Sequence, residues 1–407
     1  MSSGVKNYMM TSEIPKPVNP IRLKDPLVED LGVPAASVSA VHFPGAIPEK
    51  YTHLRLDLEN AQFTGELGTQ LRSAAEAGFP EKGWLLLTTH APFDEVAIAS
   101  MRRALWPAFH VVRVYRLKNQ QYVDRLDPDG WQKLNKQFPS TWSGSAIAAQ
   151  RRGALFAPDA VAKKFDKNAA GWSGDPKSPL YAHHRWMRRL VAELAEPKQG
   201  ERALDAGCGA GWVGIEAAKL GAKVCSFDPS PEMGKHVAEN AGAEKVQIEF
   251  RTGFVEKPPF GPPAGEAPFS LVLNSGVVSF APDSKAYLAA LDACVAPGGR
   301  LVIGDLNPQS RGMRKRQAER PVLPLREMNA LQRAEVISLL EGLGYTITAR
   351  RYYQLTDPTP QLMHFCANNL GGLGCGWLLS RNQKAASHDS DDAAGFDSWL
   401  LRATKRG

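Results

Sequence analysis

Between Glu201 and Gly211 the chain reads E-R-A-L-D-A-G-C-G-A-G, and no other segment limits the possible fold so tightly. A short apolar strand ends in Asp205, after which Gly207, Gly209 and Gly211 alternate with small residues. A helical stretch over residues 212–220 follows, closed by Gly221. A second strand over residues 222–227 then ends in Asp228. Glycines at such a turn let the backbone approach a ligand closely, and the helix behind them offers unsatisfied N–H groups at its positive end. An acid at the end of the second strand is placed to accept both hydroxyls of a ribose. The segment reads as a nucleoside-binding site in an α/β fold.

Its spacing narrows the nucleoside. The dinucleotide fingerprint is G-x-G-x-x-G, whose third glycine permits tight packing of helix on strand. Here Trp212 stands three beyond Gly209, and the third glycine comes only two residues after the second. Asp205, two residues before the first glycine, sits poorly beside a pyrophosphate and suits a cationic amino group. Nicotinamide-dependent oxidoreduction is thereby disfavoured. A tight strand–helix turn without a ligand is the bland alternative, and the flanking sequence decides between them. The run Leu204-Asp205-Ala206-Gly207-Cys208-Gly209-Ala210-Gly211 closely resembles the first motif of class I S-adenosylmethionine-dependent methyltransferases.

Several further segments carry the resemblance, in order, over about residues 165–305. Phe165-Asp166-Lys167-Asn168-Ala169-Ala170-Gly171-Trp172 is similar to the opening of many small-molecule methyltransferases, in which an aromatic residue, here Trp172, closes over the cofactor. Residues 183–194 form a helix leading into the glycine motif, and residues 246–250 a third strand. Arg251-Thr252-Gly253-Phe254 falls where such enzymes surround the adenine; Phe254 replaces the acid often found there, so stacking or a backbone N–H takes its place. Residues 269–275 are apolar on both faces, as a central parallel strand should be, and end at Asn274 and Ser275. A helix over residues 284–295, the turn Ala296-Pro297-Gly298-Gly299 and a strand over residues 300–305 follow.

The resemblance implies S-adenosyl-L-methionine as cofactor and S-adenosyl-L-homocysteine as product. It implies that Asp205 and the loop Gly207, Cys208, Gly209 and Gly211 hold the amino-acid portion. Asp228, with Pro229 beside it, takes the ribose, Gly253 and Phe254 the adenine, and Asn274 and Ser275 complete the site. It also implies a Rossmann-like, seven-stranded methyltransferase sheet with an antiparallel last strand. An amphipathic helix over residues 325–343 stopped by Gly344, a β-rich segment over 345–355 and a last strand over 396–403 suit that ending. The last two strands lie about 40 residues apart, far beyond an ordinary hairpin. The insert, at about residues 356–393, is apolar over 360–379 and polar and acidic over 385–394. Its first part reads as a lid or pocket wall, or as a helix packed on the N-terminal region or a dimer partner; its second reads as a mobile loop.

With 407 residues, a methyltransferase domain over residues 161–407 leaves room for a second domain before it. Residues 1–48 show little periodicity and are expected to be an extended or partly disordered arm. In residues 49–160, strands are expected at 51–58, 84–88 and 110–115, with helices at 64–77 and 93–106. This order predicts a small parallel α/β domain of unassigned role. Substrate recognition, dimerisation and a decayed catalytic function are the alternatives for it.

No apolar run reaches the length of about 18 residues that a membrane span needs, and no signal-peptide pattern opens the chain. The five cysteines are scattered, without C-x-x-C spacing, and fit a reducing, cytoplasmic setting. No metal-ligand spacing is present. The net charge of +7 raises nucleic acid as a partner, and the most basic run is Arg311-Gly312-Met313-Arg314-Lys315-Arg316. Such a run is more often a solvated helix face than a phosphate patch. After the fourth strand the chain reads Asn274-Ser275-Gly276-Val277, without the Pro-Pro-aromatic run of enzymes that methylate exocyclic base nitrogens and without a cysteine nucleophile. A small-molecule substrate is therefore expected ahead of RNA, and a homodimer is compatible with the sequence.

A sulfonium methyl is already activated, so the enzyme has mainly to align an acceptor and exclude water. If the acceptor is a hydroxyl or an acidic carbon, a general base helps; the candidates are His183, His184 and His364. Tyr352 and Tyr353 are candidate pocket residues, although strand alternation puts at most one of them inward. The alternative from another class is a protein that binds S-adenosylmethionine or S-adenosylhomocysteine for regulation and turns nothing over.

Overall fold

The computed structural model describes residues 22–42, 51–58, 63–91, 95–105, 108–118, 121–123, 144–155, 157–169, 181–319, 325–354, 387–388 and 394–407. The chain divides into two compact units, residues 1–157 with 315–328 and residues 158–314 with 329–407. It therefore passes from one unit to the other three times.

The first unit holds the strands β1 (Arg22–Leu23), β2 (Val38–His42), β3 (His53–Asp57), β4 (Trp84–Thr89), β5 (Phe109–Lys118), β6 (Gln121–Val123) and β7 (Gly144–Arg151). Their order across the sheet is β1-β6-β5-β7-β4-β3-β2. β2, β3 and β4 are parallel, but β7 lies between β4 and β5 and is antiparallel to both. The expected all-parallel sheet is thus corrected to a mixed one. The three strands expected from sequence do run the same way; β7, built on Gly144-Ser145-Ala146-Ile147-Ala148-Ala149, separates them. Its small residues show no alternation because both of its faces are covered, Ile147 and Ala149 on one side and Ala146 and Ala148 on the other. Val38–His42, inside the stretch expected to be an arm, is an edge strand paired with His53–Asp57.

The helices Gly65–Gly78 and Glu95–Leu105 cover the face that carries Leu54, Leu56, Leu85 and Leu87. Thr64 caps the first, its Oγ1 accepting the Leu67 N–H at 3.2 Å. On the other face the Tyr115 hydroxyl donates to Asp30 Oδ2 at 2.7 Å, and Arg113 Nε lies 3.5 Å from the same oxygen.

The second unit begins with the helices Pro158–Asn168 and Tyr181–Ala195. Its strands are β8 (Arg202–Ala206), β9 (Lys223–Asp228), β10 (Ile248–Thr252), β11 (Phe269–Ser275), β12 (Val295–Leu306), β13 (Tyr345–Tyr353), β14 (Ser387–His388) and β15 (Ser398–Lys405). The order is β10-β9-β8-β11-β12-β15-β13-β14. β8 to β12 are parallel, and β15 is inserted antiparallel between β12 and β13. These are the seven strands expected from the sequence. An eighth is added because Ser387–His388, in the tract read as a mobile loop, pairs with Tyr352 and Tyr353.

Helices cover both faces, so the central strands are apolar over most of their length and turn polar towards their C-terminal ends. Leu204, Val272, Leu301, Ile303, Trp399 and Leu401 share one core with Leu288, Leu291 and Val336 of the helices Ser284–Asp292 and Arg333–Gly342. On the other face Trp212, Ile215, Met233 and Ala241 pack together with Phe165. The helix Tyr181–Ala195 ends against the sheet, where its last carbonyls need donors. Arg402 Nη1 donates to Leu194 O at 3.0 Å, and Arg300 Nε donates to Ala195 O at 3.3 Å.

Two expectations are corrected here. The single helix over residues 325–343 is two, Leu325–Met328 and Arg333–Gly342. Between them the Asn329 amide donates to Ser279 O at 2.8 Å and Ala281 O at 2.9 Å, and Gln332 opens a new helix in a capping box with Glu335. Tyr352 and Tyr353 are both buried, because each face of the sheet is covered there. Tyr352 stacks on Phe396 and lies under the Arg333 guanidinium. The basic run lies on the helix Arg311–Glu319, where Arg311, Arg314 and Lys315 are exposed and Met313 is buried.

Trp399 is fully buried in the antiparallel last strand, and its Nε1 donates to Leu331 O at 3.0 Å. Trp399→Ala should lower stability by about 3–5 kcal/mol, read as a fall in the urea midpoint with little change in slope.

Candidate functional site

The glycine turn leaves β8 at Ala206 and enters the helix Trp212–Lys219 at Gly211. Gly207, Gly209 and Gly211 have φ of +69°, +52° and +83°, the left-handed region that an L side chain resists. Space as well as conformation excludes a side chain at the first. A Cβ on Gly207 would lie 2.9 Å from both Val277 methyls. Phe227 O, near the end of the neighbouring β9, accepts the N–H groups of Gly207 at 2.9 Å and Cys208 at 3.0 Å.

Two carboxylates face this turn from adjacent strand ends. Asp205 is 3 % exposed, and its Oδ2 accepts the Gly214 N–H at 2.8 Å, in the first turn of the helix. Asp228 is 6 % exposed; its Oδ2 accepts the Gly209 N–H at 2.9 Å and its Oδ1 the Ser230 N–H at 3.0 Å. Burial dominates both titrations. It pushes Asp205 up to about 7 against the opposing bond from Gly214, with the Asp228 charge adding to the rise. Asp228 is pushed up to about 6, against the bonds from Ser230 and Gly209. Such a pair calls for a cation. The Cys208 thiol is raised by its burial and by the same two carboxylates, which makes it a poor nucleophile and leaves its backbone to matter.

β10 closes the far side. Its Thr252 stands opposite Asp228, and the next N–H, of Gly253, donates to Asp228 O at 3.1 Å. Phe254, half-buried, follows in a tight bridge with Lys257. Pro229, also half-buried, leads to Ser230, which caps the helix Pro231–Ala243. The Ser230 hydroxyl also donates to Asp166 at 2.6 Å, which ties the helix Pro158–Asn168 to the end of β9. On the other side Phe165 meets Phe280 edge to face at 5.2 Å between centroids, with the Lys164 ammonium 5.3 Å from the Phe280 ring.

The residues expected at the end of β11 differ from one another. Ser275 is half-buried, its hydroxyl 3.3 Å from Met187 Sδ. Asn274 is fully buried and donates through one amide nitrogen to Ala206 O at 2.8 Å and to the Tyr287 hydroxyl at 2.9 Å. Its side chain therefore points into the protein. Beyond it, Asp305 at the end of β12 accepts the Ser279 N–H at 2.9 Å and fixes the short turn Val278–Phe280.

The structure thus gathers Asp205, Gly207, Cys208, Gly209, Gly211, Asp228, Pro229, Gly253 and Phe254 around one turn. His183 and His184 lie on the helix Tyr181–Ala195, with side chains outside the described residues; Trp172 and His364 lie outside them entirely. Ser230, Tyr287 and Asp305 were not singled out in the sequence, and Asp166 entered only within the segment of residues 165–172. Ser230-Pro231 does carry a helix-start signal. The others have none, because their partners are distant in the chain. Among the described residues no group of His, Cys, Asp and Glu could hold a metal ion, and no helix is long and apolar enough to cross a membrane.

Because Asp205 and Asp228 bind protons more tightly folded than unfolded, stability should fall as pH rises from about 4 towards about 7. Each group contributes at most about 1.4 kcal/mol per pH unit, and Asp205→Asn should flatten the profile in urea unfolding. Gly207→Ala should cost about 1–3 kcal/mol, and Val277→Ala should return part of it.

Residues 181–350 match the family profile described as a methyltransferase domain. The chain is 33% identical over 149 residues to the ubiquinone biosynthesis O-methyltransferase of Xanthomonas axonopodis pv. citri (strain 306), covering 35% of this chain and 61% of that relative. It is 30% identical over 161 residues to that of Maricaulis maris (strain MCS10), covering 37% and 62%. The chain therefore spans about three fifths of the length of these relatives. Among solved structures, it is similar to magnesium protoporphyrin IX methyltransferase from Synechocystis PCC 6803 with bound SAH, 16% identical over 61% of this chain and 99% of that one, with a TM-score of 0.42. The sequence match thus places a methyltransferase domain over residues 181–350, and the glycine turn and the parallel strands β8 to β12 of the second unit lie within it.

Proposed function

We propose that the protein transfers a methyl group from S-adenosylmethionine to a small-molecule acceptor, and that a hydroxyl oxygen is the first acceptor to test. The observation that carries the reading is the juxtaposition of three left-handed glycines with two buried carboxylates of raised pKa, at the ends of β8 and β9. The residues fit the donor. Asp205 and the glycine turn suit its ammonium and amino-acid portion, because a cation offsets the burial of the carboxylate. Asp228 suits the ribose hydroxyls, since each of its oxygens keeps a lone pair beyond the backbone bond it already accepts. Gly253 and Phe254, next to Asp228, suit the adenine.

When bound, the donor would supply an activated methyl group for in-line transfer to the hydroxyl oxygen, with the neutral thioether leaving and the hydroxyl proton passing to a base or to solvent. The work left to this chain is alignment and exclusion of water, which can contribute about 7–11 kcal/mol in favourable cases. The names of the relatives favour oxygen as acceptor and a biosynthetic intermediate as substrate.

Calorimetric titration with S-adenosylhomocysteine should show one site, and binding should release protons below pH 7, because the ammonium draws Asp205 into its ionised form. Affinity should rise with pH by up to about tenfold per unit through the range about 6–7, then level off. Asp205→Asn should remove most of that dependence. A protein that binds neither donor nor product at any pH would refute the reading.

A further inference from the structure

We propose that Asn274 is the positioning residue that sets the glycine turn for the amino-acid end of the donor, an assignment that rests on the cofactor reading above. The backbone ladder between β8 and β11 ends at the pair Asp205 and Leu273. One residue further on, the Asn274 side chain takes over: its Nδ2 donates to Ala206 O at 2.8 Å. The Ala206 carbonyl belongs to the same rigid peptide plane as the Gly207 N–H. That N–H donates to Phe227 O at 2.9 Å, on the opposite neighbour β9. The plane that starts the turn is therefore pinned at both edges, from β9 by a backbone carbonyl and from β11 by a side chain.

The pin has its own support. The second N–H of the Asn274 amide donates to the Tyr287 hydroxyl at 2.9 Å, and Tyr287 is 3 % exposed on the helix Ser284–Asp292. Burial holds the Tyr287 phenol well above its ordinary pKa, so its hydroxyl keeps its proton at any working pH. Asn274 itself is fully buried and its amide nitrogen is engaged by Ala206 O and the Tyr287 hydroxyl, so its influence on the turn passes through the peptide plane. Without it, the plane is held from β9 alone, and Gly207, the left-handed residue directly behind it, loses one of the two bonds that fix its direction. The ribose and adenine side of the site hangs instead on β9 and β10, through Asp228 and Gly253. A defect in the pin should thus be felt by the amino-acid portion of the ligand and spare the nucleoside.

Two ligands separate these halves: S-adenosylhomocysteine, and 5′-methylthioadenosine, which lacks the amino-acid carbons. Asn274→Leu keeps the volume and removes both donors. It should weaken S-adenosylhomocysteine about tenfold while leaving 5′-methylthioadenosine within about twofold, with a near-ultraviolet dichroism spectrum matching wild type. Tyr287→Phe keeps the ring in place and should show the same selectivity at about threefold; it carries the test alone if Asn274→Leu does not fold. Equal weakening of the two ligands, or unchanged affinity for S-adenosylhomocysteine in a folded variant, would overturn the assignment while leaving the cofactor reading intact. A wild-type protein that binds neither ligand would overturn the cofactor reading, and this assignment with it.

Discussion

Two carboxylates taken out of water beside a backbone turn govern how this half of the molecule is built. Asp205 and Asp228 sit at the ends of adjacent parallel strands, and neither has a basic side chain to offset its burial in the bonds described for it. What holds them is main chain: Gly214 in the first turn of one helix, Gly209 in the glycine turn, Ser230 at the start of the next helix. Backbone N–H groups at helix starts carry partial positive charge, so they favour the carboxylates without neutralising them. The remaining deficit is a standing electrostatic demand, and a cationic ligand meets it best.

That demand explains local features that otherwise look separate. The turn must bring Gly209 to Asp228, which requires left-handed residues in close succession. The helix must begin at Trp212 for Gly214 to reach Asp205. Ser230 must stop β9 where Asp228 ends it, and the same hydroxyl then holds Asp166. Each is a consequence of register, since β8 and β9 pair Asp205 with Ser226 and leave Asp228 one residue beyond the Ala206 pair with Phe227.

Much of this was legible in the sequence, because it is local. The glycine spacing, the acids at strand ends and the doubly apolar run Phe269–Ser275 are properties of short segments, and the strands and helices around them stand close to their expected bounds. What escaped was decided across the chain. β7 gives no period because both faces are buried. The break in the helix after Met328 follows from Asn329 reaching carbonyls some 50 positions earlier. Tyr352 and Tyr353 could both be buried because cover exists on each side of their strand, which alternation alone does not reveal. Asn274 was identified as a site residue from its place at a strand end; the partners of its amide, Ala206 and Tyr287, are settled across the chain and leave no local signal.

The route of the chain through residues 315–328 has a consequence for the gene. These residues lie between two segments of the methyltransferase domain yet are counted with the first unit. A fragment beginning at residue 158 would carry them without the rest of the first unit, and a fragment ending at residue 157 would lack them. No single cut yields both units whole. Recombination that exchanges one unit for another must therefore respect three junctions at once, which ties the inheritance of the two units together more firmly than a single linker would.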